Sequence, residues 1–117
     1  MERAGAQILP FRAAPAQVAF DRLELNRILD LYGRMVSAGL WRDYAIDFSC
    51  DAASFAMFRR AAERPAARVE KRPGLRAAQG MWTLYGEGGQ VLKRGHELAG
   101  VLSPLERKLL KVIASSG

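Results

Sequence analysis

Residues 20–40, FDRLELNRILDLYGRMVSAGL, constrain the fold most tightly, because both ends of one helix are written into them. Asp21 followed by Glu24 is a capping box: the aspartate accepts from first-turn amides, and the glutamate reaches back. Phe20 and Leu25 hold the positions of a hydrophobic staple. Leu25, Ile28, Leu29, Tyr32, Met35 and Val36 then recur at three- and four-residue spacing, which makes one apolar face. Gly39 suits the left-handed residue beyond the last turn, and Leu40 the apolar follower that folds back. The pattern predicts a helix over 22–37. Gly33 lies in its middle, where it costs about 1 kcal/mol relative to alanine. Close packing against another element is the expected reason.

After Leu40 the period changes from helical to two. Tyr44, Ile46 and Phe48 alternate with Ala45 and Asp47, as in a half-buried strand. Residues 50–54 read as a turn, 55–60 as a second strand and 67–72 as a third, polar one stopped by Pro73-Gly74. MWTLY (81–85) and QVLKR (90–94) flank Gly86-Glu87-Gly88-Gly89, the clearest hairpin signal in the chain. Helix returns at the end. His96–Leu102 forms a turn or two. Ser103, Pro104 and Glu106 then provide a cap, a first-turn proline and a third-position acid. Leu105, Leu109, Val112 and Ile113 form an apolar stripe there, expected to pack on the domain itself.

Short connections favour sequential antiparallel pairing. The expectation is an α+β domain: an N-terminal helix, a meander of four or five antiparallel strands, and C-terminal helices packed on one sheet face. One domain spans 20–117. Residues 1–19, rich in alanine and holding Pro10 and Pro15, are expected to be a mobile tail. The sharper alternative is a docking segment using Ile8, Leu9 and Phe11.

Composition narrows the function. The single Cys50 excludes an internal disulfide framework or a cysteine-rich zinc site. The single His96 excludes a Cys2His2 or three-histidine metal site in one chain. No apolar run approaches the ~20 residues of a membrane helix, and the start lacks a secretory h-region. No cofactor pattern or membrane association is expected, and a reducing cytoplasm is the expected compartment.

The formal charge of +6 is unevenly spread. Arg59, Arg60, Arg64, Arg68, Lys71, Arg72 and Arg76 crowd residues 59–76 against Glu63 and Glu70, and Lys93 and Arg94 follow in the second hairpin strand. Alternation places Arg68, Glu70 and Arg72 on one sheet face, where guanidinium forks can meet carboxylate or phosphate. The bland reading is a solvated edge strand whose charge discourages aggregation. The functional readings are an acidic protein partner, which leads, or nucleic acid held through its phosphates. The absence of a base-reading element favours the protein.

An enzyme would centre on His96 as general base with Glu97 as helper. Sequence neighbours at a helix start point apart, and no nucleophile is identifiable, so a surface or cap histidine is the better reading. Cys50 is expected in an exposed turn without a chemical role. Asp43 and Asp47 share a strand face, but arginines offer simpler partners than a cation. Gly86–Gly89 lacks the spacing of a phosphate loop. Trp41, Tyr44, Trp82 and Tyr85 read as core or sheet-face aromatics. Whether the chain is a monomer or a homodimer stays open.

Three stretches carry a family likeness: FDRLELNRILDLYGRMVSAGLWRDYAIDF (20–48), FRRAAERPAARVEKRP (58–73) and VLKRGHELAGVL (91–102). The uncommon runs Trp41-Arg42-Asp43-Tyr44 and Arg94-Gly95-His96 are its most specific parts. Over about residues 20–102 the chain resembles a small proteobacterial family of domains of unknown function. The resemblance implies a small cytoplasmic bacterial protein, and it brings no activity, cofactor or catalytic residue.

Overall fold

The computed structural model describes residues 16–60 and 64–116. Their elements run α1 (Arg22–Ser37), β1 (Asp43–Phe48), β2 (Ala53–Phe58), β3 (Ala67–Lys71), a 3-10 turn (Pro73–Leu75), β4 (Trp82–Tyr85), β5 (Val91–Gly95), α2 (Leu98–Val101) and α3 (Ser103–Ser116). The five strands form one antiparallel sheet in the order β1-β2-β3-β4-β5. The fold is the expected α+β meander. The proposed docking residues Ile8, Leu9 and Phe11 lie outside the described residues.

The α1 boundaries are those its capping signals predict. Glu24 N–H donates to Asp21 Oδ1 at 2.8 Å, and Asp21 N–H donates to Glu24 Oε1 at 2.8 Å. At the other end Gly39 has φ 80°, its N–H bonds the Val36 carbonyl, and the Leu40 N–H bonds that of Met35. That is the paired-bond Schellman stop. Phe20 packs against the core, its ring 6.1 Å from that of Trp82. Leu25, Ile28, Leu29, Tyr32 and Met35 of the expected stripe pack on the core, with two differences. Leu31 is fully buried with Ile28 and Met35, whereas Val36 is 40% exposed. Gly33 is exposed, and a Cβ there would meet nothing within 4 Å, so close packing is not its reason.

All three helices pack on one face of the sheet, around Phe55, Met57, Val69, Trp82 and Leu84. Tyr32 of α1 reaches Trp41, Tyr44 and Phe55 with ring centroids 5.1–6.1 Å apart. Leu98 and Val101 of α2 close the core over β4 and β5, and Leu102, Leu105 and Leu109 join it beside the other helices. Each buried aliphatic or aromatic side chain contributes about 1.5–3 kcal/mol.

Several boundaries move. β2 starts at Ala53, because Ser49 closes the turn through hydrogen bonds to Ala52. α2 starts at Leu98, leaving His96 and Glu97 in the connection before it. Ser103 is the first residue of α3 rather than its cap: the Leu102 carbonyl accepts from Glu106 N–H, and the Ser103 hydroxyl is taken by Lys93 and Arg107. Of the α3 stripe, Leu105 and Leu109 are buried and Ile113 is exposed.

The largest correction concerns β3. It is the central strand of the sheet, not an edge, with Ala67 and Val69 buried. The edges are β1, exposed throughout, and β5. Gly80 fixes the long β3–β4 connection against β5: its φ is 97°, and a Cβ would fall 2.3 Å from the Gly95 carbonyl. Among the described residues no helix is long and apolar enough to cross a membrane.

Candidate functional site

Strand alternation puts Ser54, Ala56, Arg68, Glu70, Thr83, Tyr85 and Arg94 on the face opposite the helices. No described helix covers that face. Its centre is Glu70, whose side chain is only 12% exposed on the middle strand. Arg68 Nη1 donates to Glu70 Oε2 at 3.3 Å, and Arg72 donates to both carboxylate oxygens at 3.4 Å. The Tyr85 hydroxyl donates to Oε1 at 3.3 Å. Arg68 also lies flat on its cross-strand partner Tyr85, 4.2 Å from the ring centroid. One carboxylate thus orders two guanidinium groups and a phenol. Beside them Ser54 and Ala56 leave β2 low.

Arg94 extends the same face toward β5. Its Nε donates to Thr83 Oγ1 at 3.3 Å and its Nη1 to Gln79 Oε1 at 2.9 Å. These contacts account for Thr83, the one buried polar residue of the described core. Desolvating its hydroxyl without a partner would cost about 1–3 kcal/mol.

The other predicted basic residues are distributed differently. Arg59, Arg60 and Arg64 surround Glu87 in an open depression of about 320 Å³ at one end of the sheet. Arg59 pairs with Glu87, and that hydrogen bond holds the Glu87 carboxyl below the ordinary carboxylate range. Arg76 lies on the exposed turn after the 3-10 segment, next to Met81 Sδ. Lys71 and Lys93 are on the helix-covered side. Lys71 Nζ donates to Glu24 Oε1 at 2.7 Å and to the Ala19 carbonyl at 3.0 Å, and Lys93 Nζ to Ser103 Oγ at 3.4 Å. The basic segment therefore divides into a bare-face group, an end-on group and two lysines turned away.

Glu70 lies beside Arg68 and Arg72 as strand alternation predicted, whereas Tyr85, Thr83 and Gln79 also shape the bare face and sequence reasoning did not single them out for it. Their role depends on the pairings of 68 with 85 and 83 with 94, which only the sheet register supplies. His96 is exposed ahead of α2, and Cys50 is exposed in the β1–β2 turn. Asp43 and Asp47 lie on the exposed edge strand β1. Among the described residues no group of three or more His, Cys, Asp or Glu is placed to hold a metal ion.

No curated protein and no solved structure matches the chain. Residues 18–102 match the family described as Protein of unknown function (DUF2794), which spans the first helix, the whole sheet and α2, and the chain belongs to that family.

Proposed function

We propose that this domain is a non-enzymatic protein-binding or adaptor module that offers the bare face of its sheet to an acidic protein partner. The observation that carries the reading is the one-sided packing. The helices all cover one face, and the opposite face holds Arg68 and Arg72 on a single internal carboxylate, with Arg94 beside Thr83 on the same face. Glu70 cannot balance three cations, so a net positive charge stays at the surface. The guanidinium planes are already oriented by Glu70, Tyr85 and Thr83, which lowers the entropy lost when a carboxylate docks.

The geometry supports a protein more than a nucleic acid. Tyr85 is the aromatic a base would stack on, and Arg68 already occupies its face. The test is an affinity capture from the native cell, with and without nuclease. A nuclease-resistant partner whose retention falls when Arg68 and Arg72 are both changed to Ala supports the reading. Capture abolished by nuclease, or indifferent to the double substitution, overturns it.

A further inference from the structure

Five of the described cations form ion pairs: Arg34 with Glu106, Arg59 with Glu87, Arg68 and Arg72 with Glu70, and Lys71 with Glu24. Three of the cations without an ion pair gather at the edge of β5. Arg94 meets only the neutral oxygens of Thr83 and Gln79, and Lys93 only that of Ser103. Arg107 of α3 shares the same Ser103 hydroxyl. Among the described residues none of these three forms an ion pair with a carboxylate. They straddle the strand, Arg94 on the bare side and Lys93 with Arg107 on the helix side. Between the charges and the hairpin turn, Val91 and Leu92 are 46% and 44% exposed.

β5 is also an edge, paired only with β4. An edge strand presents unpaired backbone N–H and C=O groups, a template for one more strand. From this conjunction we infer that β5 receives an extended segment of a protein partner that alternates acidic and apolar side chains, added as a sixth strand. Backbone hydrogen bonds supply the attachment. The acidic side chains meet Arg94 on one face or Lys93 and Arg107 on the other, and the apolar ones lie along the face opposite the acids, where they cover the exposed Val91 or Leu92. The irregular register opposite Leu84 and Tyr85 shortens the regular edge, so the added strand is short. Lys93 and Arg94 disfavour pairing with the β5 of a second copy, because like charges would face each other. The acidic β1 of a second copy, with Asp43 and Asp47, would fit the charge. That head-to-tail contact is heterologous, however, and would build rings or open chains of copies, which the test below detects as self-association.

This inference rests on the protein-binding reading and names the form of the partner. Its test uses the full chain and a blocked decapeptide of alternating Glu and Val, with a second peptide N-methylated on alternate residues as control. The first peptide is expected to bind saturably, to slow amide exchange in Val91–Gly95, and to weaken about tenfold or more when Lys93 and Arg94 are both changed to Glu. Absence of saturable binding overturns the inference. So does equal binding of the N-methylated peptide, which would show charge without strand pairing. So does concentration-dependent light scattering that Asp43→Asn with Asp47→Asn removes, which would assign the edge to a second copy. If the native partner is lost in Arg68→Ala/Arg72→Ala while β5 ignores the peptide, the edge inference falls and the proposed function stands.

Discussion

The two faces of this sheet are made from the same strands and obey opposite rules. On the covered face Phe55, Met57, Val69, Trp82 and Leu84 meet helices and lose nearly all contact with water. On the bare face Arg68, Glu70 and Tyr85 meet one another, and Arg94 meets Thr83 and Gln79. Burial of apolar area holds the first together. A short list of charge-assisted hydrogen bonds arranges the second, at distances of 3.3–3.4 Å around Glu70. The covered face can therefore carry stability while the bare face remains free to carry recognition.

The strongest way to break that contrast is Phe55→Ala. Phe55 is fully buried under Tyr32, and the substitution should cost about 3–5 kcal/mol in denaturant unfolding. A cost no larger than that of Ala56→Ser, the neighbouring bare-face position, would show that the faces do not divide the work. Glu70→Gln should come next, at about 1–3 kcal/mol, because it removes the charge that orders Arg68 and Arg72. Urea titration measures it, and side-chain NMR of the arginines should show both guanidinium groups gaining motion. Arg68→Ala with Arg72→Ala should change stability by about 1 kcal/mol or less, as expected for partly exposed ion pairs, while depleting partner capture.

The smallest effect lies at the end of the sheet. The hydrogen bond from Arg59 lowers the Glu87 pKa below its ordinary value of 4.5. A carboxyl depressed on folding stabilises the native state above its unfolded pKa, and that contribution is lost as the pH falls through the folded value. Its window therefore lies below about pH 4.5. Carboxyl NMR titration should place Glu87 lower than an ordinary glutamate, and Arg59→Gln should move it back up.

The same contrast explains what could be read from the sequence. α1 was legible to the residue because its capping box and Schellman stop are local chemistry. The β4–β5 hairpin was legible because Gly89, at φ 82°, takes a conformation that glycine favours. β3 misled because only Ala67 and Val69 of its side chains enter the core. A central strand with one uncovered face has the composition of an edge strand. Of the expected α1 stripe only Val36 is exposed, and Leu31, which was passed over, is buried beside Ile28 and Met35. The basic segment was visible as a cluster in sequence, but strand alternation sends Arg68 and Lys71 to opposite faces. Tyr85 and Gln79 joined it only through pairings many residues away.

The ammonium of Lys71 has a consequence for how the domain opens. It binds the same Glu24 oxygen that caps the first turn of α1, 47 residues earlier in the chain. Helix ends commonly fray on their own, at little cost. Here, unwinding the first turn would strand a nearly enclosed positive group against Trp82 on the middle of the sheet. The start of the helix and the heart of the sheet should therefore exchange their amide hydrogens as one cooperative unit, and motion should concentrate at the uncovered margins.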